Sequence, residues 1–146
     1  MSRITVINDQ REFLDLIEEV MGGAGHEVTC LEEVKSDIDE VAAGRPDLLI
    51  VDLRLHAGDG RLSGWELLLL ARSDARLADV PIVVCSADRD GIERRRDEMQ
   101  AMSDVHLLHK PFALEELEEL VARLLERMPA TPDPHPAQGD RPAASA

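Results

Sequence analysis

Apolar residues along this chain follow two alternating patterns. Short, nearly continuous apolar runs favour strands covered on both faces, and longer stretches with apolar residues every three or four positions favour amphipathic helices. The predicted strands are residues 3–7, 26–31, 48–51, 80–85 and 105–108. The predicted helices are residues 12–24, 34–42, 65–75, 90–102 and 114–125. This alternation predicts an α/β fold, a doubly wound five-stranded parallel sheet with right-handed crossovers.

Capping and low-complexity residues indicate where one helix starts and where the folded part stops. Ser63 and Glu66 have the spacing of a capping box, in which each side chain accepts a hydrogen bond from the other residue's backbone N–H. A helix is therefore predicted to begin directly after Ser63. From Pro129 onward, proline, alanine, aspartate, glycine and serine dominate without periodicity. We expect one folded domain over residues 1–128 and a disordered Pro/Ala-rich tail over residues 129–146.

Polar side chains follow four of the five predicted strands. The first strand is followed by Asn8 and Asp9, the third by Asp52, the fourth by Ser86 and the last by Lys110. Because the carboxyl ends of parallel strands form one edge of the sheet, where such proteins bind ligands, we expect these side chains to lie together. Two carboxylates suit Mg²⁺, and an ammonium and a hydroxyl suit phosphoryl oxygens. The sequence thus predicts a site for phosphoryl chemistry.

Charge and cysteine content narrow the choice of partner. The chain carries a formal net charge of -14, which repels nucleic acid and anionic membranes. Cys30 and Cys85 lie far apart inside apolar runs, as expected of reduced core thiols. The sequence shows neither a signal-like N-terminus nor a run of about 20 apolar residues. We expect a cytoplasmic protein that binds another protein, not nucleic acid or a membrane.

Five short motifs together resemble the response regulator receiver domain of two-component signalling, over residues 3–127. They are the turn Asn8–Asp9, the strand LLIVD ending at Asp52, the helix start SGWELL, Ser86 after VVC, and KPF beginning at Lys110. The resemblance implies a flavodoxin-like fold with strand order 2-1-3-4-5. It also implies a phosphorelay signalling domain, not an enzyme, that takes a phosphoryl group from a sensor histidine kinase, a phosphotransfer protein or a small phosphodonor.

The resemblance also implies a role for each site residue. By this resemblance, Asp52 would be the phosphoacceptor. Asp9 and Asp52 would bind Mg²⁺ directly, and the backbone carbonyl of Arg54 would complete the protein ligands. Ser86 and Lys110 would bind the phosphoryl oxygens. The chemistry is metal-assisted phosphoryl transfer to a carboxylate, in which the protein mainly positions groups and neutralises charge.

Several positions depart from the family's pattern. Asn8 stands where a second acid is usual and is expected to reach the metal through a water, which predicts weaker Mg²⁺ binding with phosphorylation retained. Leu107 stands where many receivers carry a switch aromatic, so that switch is unavailable in its usual form. Arg54 and Asp88 flank the acceptor and are predicted to pair above it and slow loss of the phosphoryl group. His56 lies in a longer loop and is expected to be solvated.

The same residues bear on three other functions. A pseudo-receiver, acting as a non-phosphorylated adaptor, is favoured by Asn8 and Leu107. A hydrolase with an aspartyl nucleophile would need an acid where Arg54 stands. Flavin or nucleotide binding would need a loop rich in serine, threonine or glycine after the first strand. Whether the chain is a phosphorylated receiver or a non-phosphorylated adaptor, the face formed by residues 90–127 is a candidate surface for a homodimer or another partner.

Overall fold

The computed structural model describes residues 2–35, 37–53, 60–87 and 89–127. Within these ranges the strands are β1 Arg3–Ile7, β2 Glu27–Leu31, β3 Leu48–Asp52, β4 Ile82–Ser86 and β5 Val105–His109. The helices are α1 Arg11–Gly23, α2 Asp39–Ala43, α3 Gly64–Ser73, α4 Arg89–Ala101 and α5 Leu114–Arg127. All strand pairs are parallel in the order 2-1-3-4-5, which confirms the predicted flavodoxin-like fold. No helix in the described ranges is long and apolar enough to cross a membrane.

The core consists of two layers, one on each face of the sheet. In β3, Leu49 and Val51 face the layer under α2, α3 and α4, whereas Leu48 and Ile50 face the layer under α1 and α5. Every residue of β3 and β4 is buried, as expected for a continuous apolar run in the centre of a parallel sheet. The edge strands β2 and β5 have no buried residue. The central strands β3 and β4 are therefore enclosed by the core on both faces, and each ends in a polar residue, Asp52 or Ser86.

The second helix is shorter than its sequence pattern predicts. Val34 belongs to the buried core, but α2 begins only at Asp39, so the predicted start was wrong. Lys35 instead forms an antiparallel bridge with Arg61, and the Leu62 N–H donates to the Val34 carbonyl over 2.8 Å. The apolar spacing at Val34 comes from a loop that covers the core, because burial alone imposes apolar residues there.

Candidate functional site

One edge of the sheet carries the side chains that the sequence singled out. Asn8 and Asp9 directly follow β1, Asp52 and Ser86 are the last residues of β3 and β4, and Lys110 directly follows β5. Since these four strands are adjacent and parallel, their ends lie side by side. The ladder pairs Asp52 with Cys85 and Ser86 with His109, which fixes the heights of the acid and the hydroxyl. The predicted grouping at the strand ends is thus present.

The Asp52 carboxylate lies between two donors. Asp52 is 7% exposed, and the Lys110 Nζ lies 3.5 Å from the Asp52 Oδ2. The Asn8 Nδ2 donates to the same oxygen over 3.2 Å. A carboxylate this deeply buried is costly unless charged or hydrogen-bonding partners surround it, and an ammonium and an amide supply them. The strand end therefore holds an anion in a defined orientation.

Asn8 is fully enclosed, and its amide can point only one way. Its Oδ1 accepts a hydrogen bond from the Gln10 backbone N–H over 2.8 Å, and its own backbone N–H donates to the Leu31 carbonyl. Because a backbone N–H requires an acceptor, the amide nitrogen is the group that faces Asp52. The sequence did not predict this direct contact. The water-mediated link from Asn8 to a metal stays a prediction.

Lys110 is held from three sides. Its backbone N–H donates to the Ser86 carbonyl over 3.0 Å, which ties the end of β5 to the end of β4. Its ammonium lies 3.5 Å from the Asp52 Oδ2 and 4.6 Å from the centroid of the Phe13 ring. Ser86 is completely buried at the same edge. Sequence reasoning missed Phe13, because its spacing in α1 is that of an ordinary core residue.

The cysteine beside Asp52, Cys85, has an unreactive thiol. Burial raises the pKa of the Cys85 thiol to about 12, the Lys110 ammonium lowers it less strongly, and the Asp52 carboxylate raises it further. The thiol is therefore protonated at neutral pH, whereas the thiolate is the reactive form. Cys30 and Cys85 are not joined to each other.

The start of α3 packs against the backbone of Asp52 and Leu53. The predicted capping box is confirmed: Ser63 Oγ accepts from the Glu66 N–H, and the Glu66 side chain accepts from the Ser63 N–H. A Cβ built on Gly64 would lie 2.2 Å from the Asp52 carbonyl oxygen and 2.7 Å from the Leu53 Cα. Only glycine permits such an approach of two backbones. The cap and the glycine together set the position of the segment after Asp52.

Replacing Gly64 with alanine is expected to lower the free energy of unfolding by about 2 kcal/mol, because the new methyl group overlaps backbone atoms that cannot move alone. Urea denaturation measures the change. Gly44→Ala is the matched control, since a Cβ there would lie 3.6 Å from the Val41 carbonyl oxygen, an ordinary contact distance. Equal stability of the two variants would show that the close approach does not exist in solution.

Three residues that the sequence singled out lie outside the described residues: Arg54, His56 and Asp88. The third metal ligand and the Arg54–Asp88 pair therefore stay predictions, as does the disorder of residues 129–146. Leu107 is partly buried and packs against the core, as expected of a leucine in that position.

The donor chemistry at the edge fits Mg²⁺. Asp9 and Asp52 offer carboxylate oxygens from adjacent strands, and hard cations prefer such oxygen ligands. In the ranges that the structure describes, no group of three or more histidine, cysteine or acidic side chains is placed to hold a metal ion. A cation here would therefore rely on a small number of carboxylates with carbonyl, water or phosphate oxygens, the arrangement typical of Mg²⁺.

The family model and the curated relatives that match this chain both point to response regulators. The sequence matches the response regulator receiver domain family over residues 4–122. Response regulator MprA of Mycolicibacterium vanbaalenii is 34% identical over 131 residues, which cover 90% of this chain and 52% of that protein. The chain thus spans about half the length of the curated relatives it matches.

Solved receiver domains share the fold. The Francisella response regulator 1452 receiver domain superposes with a TM-score of 0.67 at 23% identity, covering 87% of this chain and 98% of that one. The receiver domain of the sensor histidine kinase PA1611 from Pseudomonas aeruginosa, solved with a magnesium ion in its active-site cleft, gives 0.66 at 22% identity, covering 86% and 98%. At these identities the likeness concerns the fold.

Proposed function

The chain belongs to the response regulator receiver domain family of two-component signalling, and from this membership and the site geometry we propose that Asp52 accepts a phosphoryl group in a Mg²⁺-dependent step. The observation that carries the proposal is the Asp52 carboxylate, 7% exposed at the end of a central strand with the Lys110 ammonium 3.5 Å from its Oδ2. An ammonium so placed can neutralise charge on an arriving phosphoryl group. The domain is a signalling domain, and we propose that it acts in the cytoplasm.

The transfer is a displacement at phosphorus. A carboxylate oxygen of Asp52 forms the new bond to phosphorus while the bond from phosphorus to the donor breaks, and the donor leaves with the bonding electron pair. Lys110 and Ser86 bind phosphoryl oxygens, because an ammonium and a hydroxyl both donate to them. Asp9 and Asp52 would hold Mg²⁺, with the Arg54 backbone carbonyl as the further ligand that the family resemblance implies, and the cation would neutralise charge on the phosphoryl oxygens. The buried strand end keeps the nucleophile oriented throughout.

The donor is proposed to be a phosphohistidine on a kinase or phosphotransfer protein. A groove of about 480 Å³ opens directly beside Lys110. Its apolar lining residues include Phe13, Leu16, Phe112 and Leu114, and Leu16 is 39% exposed. A protein that presents a phosphohistidine to Asp52 must cover this edge, and apolar surface next to the acceptor suits a helix with an apolar stripe. We call this groove the docking groove.

The net charge of -14 supports a protein partner over nucleic acid.

A second groove, of about 560 Å³, runs along β5 between α4 and α5. It lies in the face formed by residues 90–127, and it supports that face as the candidate surface for a homodimer or a downstream protein.

The test is phosphorylation by acetyl phosphate. The full chain is incubated with acetyl phosphate and either Mg²⁺ or EDTA, and its intact mass and peptides are measured. The proposal expects a single phosphoryl adduct with Mg²⁺, strongly reduced with EDTA, on the peptide that contains Asp52. Absence of an adduct, or an adduct on another peptide, would contradict it.

The alternative function is a non-phosphorylated adaptor. The observation that favours it is the hydrogen bond from the Asn8 amide to the Asp52 Oδ2, because an amide and an ammonium then both stabilise the Asp52 carboxylate. Under this function the wild-type chain forms no adduct with acetyl phosphate. The same experiment therefore separates the two functions.

Replacing Asn8 with aspartate is expected to tighten Mg²⁺ binding about tenfold, since a carboxylate facing Asp52 adds repulsion that a cation relieves. Calorimetric titration with Mg²⁺ measures the affinity. Gln100→Glu, an exposed change of equal charge on α4, is the control and should leave the affinity unaltered. Equal Mg²⁺ affinity of Asn8→Asp and the wild type would contradict the prediction that the Asn8 amide weakens Mg²⁺ binding.

A further inference from the structure

We propose that Phe13 is a positioning residue for phosphoryl transfer: the face of its ring holds the Lys110 ammonium beside Asp52. This inference rests on the proposed function, which makes Lys110 a ligand of the phosphoryl group. Phe13 lies in the first turn of α1, and Lys110 follows β5. The contact therefore joins a helix that packs on the sheet to the end of an edge strand. Nothing in the apolar spacing of α1 distinguishes Phe13 from a core residue.

Distances show why the ring is needed. The Lys110 Nζ lies 3.5 Å from the Asp52 Oδ2, longer than the roughly 2.7–2.9 Å of a direct charge-assisted hydrogen bond. It lies 4.6 Å from the Phe13 ring centroid, well inside the roughly 6 Å within which a ring attracts a cation. The lysine stem has several rotatable bonds, so a loosely held ammonium would sample other positions. The ring therefore restricts an ammonium that the carboxylate alone holds loosely.

Phe13 also connects the site to partner docking. The Phe13 ring and the Lys110 side chain line the docking groove together, next to Leu16. A partner that fills the groove excludes water from the contact between ring and ammonium, and desolvation strengthens such contacts. Docking of the phosphodonor protein and the orientation of Lys110 are then linked through one side chain.

The experiment uses the fact that the chain contains two lysines, Lys35 and Lys110. With lysine labelled by ¹³C at the ε-carbon, NMR resolves one signal for each. A proton above the face of an aromatic ring is shielded, so the Lys110 signal reports the contact with Phe13. Lys35 is an internal reference, because its side chain is 71% exposed and pairs with Glu33.

Phe13→Leu is expected to move the Lys110 signal downfield and leave the Lys35 signal in place. It should also slow adduct formation from acetyl phosphate with Mg²⁺ about three- to tenfold, the effect of one such contact on a rate. Phe13→Tyr keeps a ring and should restore both the shift and the rate. Val20→Ala removes apolar volume from the same helix and should change neither quantity.

Phe13→Met provides a second ringless variant that keeps apolar volume, should the leucine variant fold poorly. An unchanged Lys110 signal in a folded ringless variant would overturn the contact. A wild-type rate in that variant, with the wild type forming its adduct normally, would overturn the positioning role. If the wild type forms no adduct, the proposed function fails instead, so the two failures are distinguishable.

Discussion

Asp52→Asn is expected to lose the phosphoryl adduct completely. The amide has nearly the shape of the carboxylate but lacks its anionic oxygen, so no oxygen at the end of β3 can attack phosphorus. Its carbonyl oxygen can still accept hydrogen bonds from Asn8 and Lys110, which hold the present side chain. The variant should therefore fold with an unchanged circular dichroism spectrum. Intact mass after incubation with acetyl phosphate and Mg²⁺ measures the loss.

Asp47→Asn is the matched control for this substitution. Asp47 directly precedes β3, at the opposite end from Asp52, and its Oδ2 accepts a hydrogen bond from the Arg3 N–H. The control should form the adduct at the wild-type rate. If Asp52→Asn still gained the adduct, the acceptor would be another side chain, with Asp9 the first to examine.

Arg72 provides the second large effect, on stability. Its guanidinium, near the end of α3, donates to backbone carbonyls in two segments, one before β4 and one before β5. The acceptors are the carbonyls of Leu77, Ala78, Val80, Ser103 and Asp104. Burial lowers the pKa of Arg72, and the Asp104 carboxylate opposes that effect. One side chain thus fixes the segment before β4 and the turn before β5.

Arg72→Ala is expected to lower the free energy of unfolding by about 3 kcal/mol and the melting temperature by about 10 °C, because several partly buried carbonyls lose a charged donor. Thermal and urea denaturation measure both. Arg76→Ala is the control: Arg76 is exposed and its guanidinium pairs with the carboxylates of Asp74 and Asp39, so the loss of this side chain should cost less than about 1 kcal/mol. Equal losses in the two variants would contradict the role given to Arg72.

Much of the fold follows from local pattern alone. The run Leu48–Asp52 has no polar alternation, which is typical of a strand buried on both faces. The predicted bounds of the other strands and of four helices differ from the observed ones by no more than a few residues. The start of α2 is the exception. Val34 is apolar because it is buried in a loop, and in the sequence a buried loop residue looks the same as an apolar residue at helical spacing.

For the candidate site, the sequence predicted the residues but not the contacts between them. The polar residues that follow apolar strands, Asn8, Asp9, Asp52, Ser86 and Lys110, were predictable from the sequence, because parallel strands bring their ends to one edge. Their contacts were not. The hydrogen bond from Asn8 to Asp52 spans 44 positions in the chain, and the orientation of the amide depends on where the Gln10 N–H lies.

Three features depended on the tertiary structure alone: the ring of Phe13 over Lys110, the close packing of Gly64 on the backbone after Asp52, and the carbonyl contacts of Arg72. Each requires the packing of helices on the sheet, and helix packing is set by the fit of many side chains at once rather than by local spacing. The sequence by itself determined the strands, their polar ends and hence Asp52 as the proposed acceptor. The tertiary structure decided which neighbours hold that acceptor and its lysine in place.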